Sequence, residues 1–582
     1  MGQRVRFERT TGPSKRWSFL ISRVTGKYTV LLFFLCAVAF FVVAPLFLLV
    51  LNSFQVGGPG EPTAWGLENW RLALTSPGIV DAAYNSFSLA VVRQLIATFI
   101  GIFVAWLLAR TDMPMRGTLE FMFWISFFLP ALPVTLGWIL LLAPKQGLLN
   151  QLLLSLALVD GPVFNIYSYW GIVWAHLAAG SLSIKVMLLT PAFRNLDAAL
   201  EECSRIAGAG ALRTLWSIIV PVMMPAILIA FILGFIRSLE AFEIELILGV
   251  PVELHVFSTK IYRFLTDEPT QLSSAAALGT FFFFVLLLMV IIQRFYLGRR
   301  VFTTVTGRGF STRPMSLGKW KYPASVFVWL LALTITVIPI VFLVLGTFMK
   351  LFGFFNIDDP WTLENWRYVL SDPTLLRSLN NTVIVALWAA GICVVVGSLI
   401  AYVITKSRFS GRSVLDFLSW LPWAIPGILV GVGLLFTFLL LHGFVPIYGT
   451  MSALVIAMVV SGMPLSVQVT KSFYMQLGDE LEEASSVAGA SWFHTYCHIL
   501  LPLLFPCLLV VGLLGFISAV RNISTIVLLA TARTRTLSLL MLDFTAGGEL
   551  EKATVVAVII VALVIIAALI ARKLGGQFSI RG

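Results

Sequence analysis

The chain has 582 residues, 59% hydrophobic and only 12% charged, with a mean hydropathy of +0.95. Soluble domains carry about 25% charged residues, so a soluble protein is excluded, and continuous rather than alternating apolar runs argue against a β-barrel. The net charge of +12 is read as basic residues gathered in cytoplasmic loops rather than as a nucleic-acid surface. Five cysteines without a CxxC spacing offer no disulfide framework.

A basic tail, residues 1–28, carries Arg4, Arg6, Arg9, Lys15, Arg16, Arg23 and Lys27 ahead of the apolar run Val30–Leu51. That run exceeds the roughly 7–15 residues of a signal-peptide core and lacks a small-residue cleavage site, so it is read as a retained span. A bilayer crossing needs about 20 apolar residues. By that measure spans are predicted near 29–51, 85–109, 119–142, 168–190, 224–248 and 274–297. A linker, 298–321, holds Arg299, Arg300, Arg308, Arg313, Lys319 and Lys321 and no acid. Six further spans follow near 323–349, 380–404, 414–441, 451–470, 505–530 and 553–571.

An even count puts both termini on one side. Tail, linker, the short loops with Arg110, Arg116, Lys406, Arg408 and Arg412, and the end with Arg572, Lys573 and Arg581 are basic. The opposite loops are mixed or acidic, as in Asp358, Asp359, Glu364 and Asp372. The basic side is expected to be cytoplasmic.

The two sets of six repeat each other. LENWR at 67–71 recurs at 363–367, an offset of 296 that also matches Asn85 with Asn381, Gly101 with Gly397, Arg116 with Arg412, Pro130 with Pro426 and Gly137 with Gly433. Further on, EECSRIAGAG (201–210) matches EEASSVAGAS (482–491) at an offset of 281. The first half therefore has fifteen extra residues between Gly137 and Glu201, expected in the external stretch 143–161. Repeats of six spans enter from the same side and are related by an axis along the membrane normal. The expected fold is an all-α polytopic membrane protein of about twelve transmembrane helices in two parallel six-helix repeats, 1–297 and 322–582, joined by the basic linker 298–321. A pathway is expected between the halves.

The second repeated string falls in cytoplasmic loops, 194–222 and 475–503. Glu201 and Glu202, Ser204, Ala207, Gly208, Ala209, Ile218, Pro221 and Pro225 match Glu482 and Glu483, Ser485, Ala488, Gly489, Ala490, Ile499, Pro502 and Pro506. Asp197 and Gly478 occupy equivalent positions suited to a helix N-cap, and the early glutamates suit the helix dipole. Leu200, Cys203 and Ala207, like Leu481, Ala484 and Ala488, form a narrow apolar face. Gly208 and Gly489 then let the chain turn. Such a helix can dock closely on another protein. The alternative, an amphipathic helix that merely caps the bundle, does not account for two copies.

These loops resemble the signature of the membrane permeases of binding-protein-dependent ABC importers, E-A-A-x3-G, nine residues, then I-x-L-P. Here it reads E-C-S-R-I-A-G…I-I-V-P (202–221) and E-A-S-S-V-A-G…I-L-L-P (483–502). The first copy departs at Cys203, Ser204 and Val220. The resemblance covers nearly the whole chain and implies a type I ABC importer permease fold in a bacterial or archaeal cytoplasmic membrane. It implies two ATPase subunits, one on each loop, with Glu202 and Glu483 near a basic partner and Gly208 and Gly489 at the bend. It also implies a soluble solute-binding protein on the external face.

The fused build, with FEIELILGVPVELHVFSTKIY (242–262) and AVRNISTIVLLATARTRTLS (519–538), is similar to the ferric-iron uptake group, whose relatives also handle thiamine, phosphonates and other small solutes. No G-x4-G-K-[ST] occurs; Gly26-Lys27 and Gly318-Lys319 are followed by Tyr and Trp. ATP and magnesium are therefore expected on partner chains, with no cofactor, metal or enzymatic activity here. His494, Cys497 and His498 are not read as a metal site, because their counterparts are Arg213, Trp216 and Ser217. An ion-gradient-driven twelve-helix transporter is the rival reading, and it leaves the doubled loop unexplained.

The fifth span carries GFIRSLEAFEIEL (234–246). Counting from Pro225 at about 1.5 Å per residue, Arg237 lies roughly 18 Å in and Glu240, Glu243 and Glu245 roughly 22–30 Å in. A lipid-facing charge near the centre costs about 2.5–3.5 kcal/mol, so these groups are expected to face the bundle interior or a watery cavity. At offset 281 Glu240 meets Arg521, next to Asn522. Two readings stand. Glu240 and Arg521 approach across the central axis in an outer gate or solute path, or Glu240 pairs locally with Arg237 while Glu243 and Glu245 snorkel outward.

Overall fold

In the computed structural model, which describes residues 14–56, 64–298 and 314–579, proline decides where two of the twelve expected spans break. Arg4, Arg6, Arg9, Arg299, Arg300, Arg308, Arg313 and Arg581 lie outside the described residues. Among the described residues ten helices are long and apolar enough to cross a bilayer, and two helix pairs bent by 102° and 113° bring the count to twelve.

The first half comprises α1 (Ser14–Ser53), α2 (Ile79–Arg110), the broken pair α3 (Arg116–Phe128) and α4 (Ala131–Leu142), α5 (Tyr169–His176), α6 (Leu182–Arg194), the loop helix α7 (Ala198–Ile206), α8 (Val220–Leu239) and α9 (Leu272–Gly298). The second comprises α10 (Lys321–Ala332), α11 (Ile338–Thr347), α12 (Pro373–Lys406), the broken pair α13 (Arg412–Trp420) and α14 (Gly427–Leu441), α15 (Met451–Tyr474), the loop helix α16 (Glu480–Val487), α17 (Leu501–Arg521) and α18 (Leu550–Ser579).

Pro130 and Pro426 stand at the two breaks, and the residues before them, Leu129 and Ile425, are extended with ψ of 134° and 123°. Proline lacks the N–H a helix needs and excludes its predecessor from helical geometry. The fifth and eleventh spans also stop earlier than hydropathy suggested, at Leu239 and Arg521. The residues beyond are apolar enough to prolong a hydropathy window, but after Leu239 the chain breaks and resumes as short π and 3-10 helices, Glu245–Gly249 and Val250–Val252, and after Arg521 it runs as turns. Irregular backbone at such depth persists where protein or a watery cavity satisfies it.

The first helix of each half bridges to the other. α1 lies against its own α9 and against α13 and α14, while α10 and α11 lie against α3 and α4. These crossings bring backbones together. A methyl on Gly137 would overlap the carbonyl oxygen of Pro339 and sit 2.9 Å from its carbonyl carbon, and one on Gly433 would sit 2.6 Å from the Pro45 oxygen. Small residues permit such approach in membranes, where packing rather than water drives association. The matched pair Gly137 and Gly433 is thus explained by contact between the halves. The matched asparagines act alike too: Asn85 donates to the His255 carbonyl at 3.1 Å, and Asn381 to those of Arg533 and Arg535 at 2.9 Å.

The fifteen extra residues divide unequally. α5 and α15 start at matching hydroxyl caps, Ser168 and Thr450, an offset of 282. Fourteen extra residues therefore precede α5, in the stretch that holds the helix Leu148–Ser155. The fifteenth lies in a π-type kink at Leu177–Ser181, where Ala179 and Gly180 leave helical geometry and Gly180 takes φ +107°. A π-bulge inserts one residue into a helix and often marks a functional site. Beyond it the offset is 281: Gly101 faces the Lys185 Cβ, where a methyl would meet it at 2.6 Å, and Gly397 faces the Ser466 Cβ at 2.8 Å.

Candidate functional site

The two repeated loops, 194–222 and 475–503, are built alike from the residues upward. Asp197 caps α7, its carboxylate accepting the Ala199 N–H at 2.9 Å. In α16 the N-cap position falls on Asp479 rather than the expected Gly478, and the Asp479 carboxylate makes no capping bond but accepts from Lys406. Glycine has no side chain to offer, and Glu480, Glu482 and Glu483 already place negative charge in the first turn. Both helices end in a Schellman motif. Ala209 and Gly208 N–H donate to the Ser204 and Arg205 carbonyls at 3.0 and 2.9 Å; Ala490 and Gly489 donate to Ser485 and Ser486 at 3.1 and 3.0 Å. This motif needs a left-handed residue, and Gly208 and Gly489 supply it at φ +80° and +83°. The same serines then close the loop by bonds of 2.8 Å to Thr214 and Thr495. Pro221 and Pro502 sit in the first turns of α8 and α17, after π-type turns at Leu215–Ile219 and Tyr496–Leu500.

Each loop is fastened to the end of a membrane helix by one basic residue that the motif did not reveal. Arg110, ending α2, donates to the Leu196 carbonyl at 3.0 Å; Lys406, ending α12, donates to the equivalent Leu477 carbonyl at 2.6 Å. Arg110 also holds Glu201 through two bonds of 2.8 and 3.0 Å, with both side chains buried. The second copy differs: Lys406 takes Asp479 at 2.5 Å, and Glu482 accepts the Tyr402 hydroxyl at 2.9 Å. With the inner faces thus tied down, Leu200, Cys203, Ala207, Leu481, Ala484 and Ala488 face outward, and so do Glu202 and Glu483. Ile206 and Val487, at matching positions, are 87% and 88% exposed, beside exposed Leu212 and Phe493. The two loops thus each expose an apolar prominence with an acidic neighbour.

The intramembrane charges follow the local reading at Glu240, and neither reading at Glu243 and Glu245. Glu240 pairs with Arg237 at 3.2 Å rather than with Arg521, because α8 ends between them and turns the carboxylate back on its own helix. The contact across the halves belongs to Glu243, which accepts the Ile523 backbone N–H and lies in the field of Arg521. Arg521 itself donates to the Phe127 carbonyl at 3.1 Å and stands 5.8 Å from the Phe127 ring, while Arg237 stands 5.7 Å from the Trp423 ring. Phe127 and Trp423 are equivalent at offset 296, so each arginine reaches from one half to the aromatic residue at the break of the other. Asn522 stays local, its carboxamide oxygen accepting the Thr525 N–H at 3.1 Å.

Glu245 does not snorkel. It is buried against His176 at 2.7 Å and Arg93 at 3.5 Å. Arg93 also donates to the Ser238 carbonyl, Gln94 to the Ser238 hydroxyl at 2.6 Å, and Lys185 to the Ala230 carbonyl. Arg93, His176 and Lys185 were overlooked in the sequence, although Arg93 and Lys185 interrupt the apolar spans 85–109 and 168–190 and the charge alone was signal enough.

Residues 97–303 and 393–575 each match the family described as binding-protein-dependent transport system inner membrane component. The chain belongs to this family. Each matched segment contains one of the repeated loops, so the permease carries the family unit twice, and it is a multi-pass transport subunit. Among its relatives, the putative ferric transport system permease protein FbpB 1 of Haemophilus influenzae is 29% identical over 515 residues, 87% of this chain and 78% of that one. The ferric transport system permease protein FbpB of Actinobacillus pleuropneumoniae is 30% identical over 393 residues, 66% of this chain and 55% of that one. A solved bacterial ABC transporter involved in the import of the acidic polysaccharide alginate covers 49% of this chain and 99% of its own, at 20% identity and a TM-score of 0.42.

The geometry of the permease sets a charge-exchange prediction. Glu243→Arg and Arg521→Glu should each cut transport at least tenfold, and the double reversal should restore a substantial part of it. Exchanging Glu240 with Arg521 should restore nothing. Uptake by vesicles bearing the four variants checks this. Rescue by the Glu240 exchange would refute the assignment of Glu243 as the cross-half partner.

Proposed function

We propose that this permease carries ferric iron inward from a soluble external binding protein, by alternating access, with ATP hydrolysed on two separate ATPase subunits. Each ATPase grips one docking loop, with Glu202 and Glu483 toward basic groups of the partner. Closure of the ATPases draws the loops together, and α8 and α17, which begin at those loops, carry the motion to the turns at Glu240 and Asn522. Both termini and the basic linker are on the cytoplasmic side. ATP and magnesium belong to the partners, and the chain holds no cofactor of its own. Arg237, Glu240, Glu243 and Arg521 line the path or its gate.

The observation that carries the reading is the doubled docking loop, with its repeated Schellman turn, serine–threonine closure and basic fastening. The choice of cargo rests on the names of the relatives and on two carboxylates near the contact between halves, hard oxygen donors of the kind ferric iron prefers.

The test is reconstitution with the ATPase and binding protein encoded alongside. Radiolabelled ferric iron should enter proteoliposomes only with ATP. Gly208→Val and Gly489→Val should each lower uptake at least tenfold while leaving the membrane bundle folded. A Cβ meets nothing within 4 Å at either site, so the roughly 1–2 kcal/mol cost of a left-handed non-glycine residue stays in the loop. Full-speed import by the permease alone on a proton or sodium gradient would defeat the proposal.

A further inference from the structure

The two halves differ in charge where α2 and α12 pass the ends of α8 and α17. In the first half the contact is polar throughout. Arg93 and Gln94 hold Ser238 in the last turn of α8, Lys185 holds Ala230 one helical stretch earlier, and His176 and Arg93 together hold Glu245 beyond the turn. The corresponding residues of the second half are Ala389, Ala390, Ala519, Ser466 and Ile526, with Met458 in place of His176 at the offset that applies before the kink. Gly234 follows the same division. A methyl there would sit 2.9 Å from the Gln94 carboxamide carbon, whereas at its counterpart Gly515 the nearest atom, the Ala390 Cα, lies at an ordinary 3.5 Å. The extra residue of the π-type kink, also confined to the first half, directly follows His176.

α2 is thus gripped at two places. Arg110 at its end binds the docking loop through Leu196 and Glu201, and Arg93 binds both sides of the turn that carries Glu240 and Glu243. Seventeen residues of continuous helix separate the two arginines, about 26 Å at 1.5 Å per residue. α12 has the first grip, through Lys406 and Tyr402, but only alanine where the second would be.

We propose that α2 is a one-sided strut, with Arg93, His176 and Glu245 as positioning residues. It fixes the inter-half turn to the first docking loop, so that the first half transmits between ATPase and pathway as a rigid body. Among the described residues the second half has no ion pair at that level, only apolar packing and neutral bonds such as that of Ser466 to the Cys393 carbonyl at 2.5 Å, and is freer to slide. Dispersion contacts have no preferred register, whereas a buried ion pair that slips leaves a charge unpaired in hydrocarbon. The strut rests on reading the docking loops as the ATPase contact.

The test uses the complete transporter, with ATPase and iron-loaded binding protein, in proteoliposomes. The readout is the factor by which the binding protein raises ATP hydrolysis over the basal rate. Arg93→Ala and His176→Leu should copurify with the ATPase and keep the basal rate, yet lose at least tenfold of the stimulation. His176→Gln, which can still donate to Glu245, should keep at least a third of it, and the exchange R93E with E245R should recover at least a third. Second-half changes Met458→Leu and Ile526→Val should alter it less than twofold. Stimulation within twofold of wild type in Arg93→Ala and His176→Leu would overturn the strut. If those variants fail to assemble, an assembled but unstimulated R93E with E245R would do the same. Failure of the ATPase reading appears instead in the wild type, whose hydrolysis would not respond to the binding protein at all.

Discussion

Gly137→Val and Gly433→Val should each abolish recovery of folded, monodisperse permease. At Gly137 the new Cβ meets backbone, the Pro339 carbonyl, and at Gly433 it meets the Pro45 carbonyl at 2.6 Å. Neither obstacle is the movable tip of a side chain. Relief requires α11 or α1 to shift bodily, and both bridge the halves. Overpacking of a core typically costs about 1–3 kcal/mol and more where backbone must move, a large share of the marginal stability of a folded chain. Gly391→Ala is the control. It lies inside α12 with nothing within 4 Å of its Cβ, so it should be neutral or stabilise by about 0.5–1 kcal/mol. Detergent gel filtration and thermal unfolding of the three variants check the order, which would be refuted by a monodisperse Gly137→Val of wild-type stability.

Glu201→Ala should weaken the first docking loop far more than Glu482→Ala weakens the second. Glu201 is the buried partner of a two-bond pair with Arg110. Removing it strands a guanidinium, and breaking a buried pair from one side costs about 3–5 kcal/mol. Arg110 would still reach the Leu196 carbonyl, so the loss concentrates in the tilt of α7 rather than in the fold as a whole. Glu482 gives up a single bond from the Tyr402 hydroxyl, about 1.5–3 kcal/mol for a bond to a charged group. The ATPase should copurify in reduced amount with Glu201→Ala and nearly normally with Glu482→Ala. Equal losses would show that the two loops are fastened alike, against the geometry.

Much of this protein was legible in the order of its residues. Hydropathy located the spans, and Pro130, Pro426, Gly137, Gly208 and their counterparts stood at matching positions before their roles were visible. These features depend on local physics: transfer of a segment into lipid, the missing N–H of proline, the left-handed turn open to glycine. The docking loops were readable because all their essential residues lie within some twenty positions of one another. Cap and bend could be inferred from spacing, although the second cap fell on Asp479 rather than Gly478.

Apart from the local pair of Glu240 with Arg237, the pairing of charges was not readable, since it depends on the three-dimensional path of distant segments. Glu240 and Arg521 matched by repeat, yet it is Glu243 that bonds the Ile523 backbone beside Arg521, because α8 stops at Leu239 and the chain turns there. Arg93, His176 and Glu245 lie 83 and 69 positions apart along the chain and meet only through the crossing of α2, α5 and the turn after α8. So the sequence by itself determined a twice-folded membrane bundle with two docking loops, because insertion and turning act over a few residues. Which buried charge neutralises which was decided by tertiary structure alone, because in hydrocarbon a charge must find its partner wherever packing delivers one.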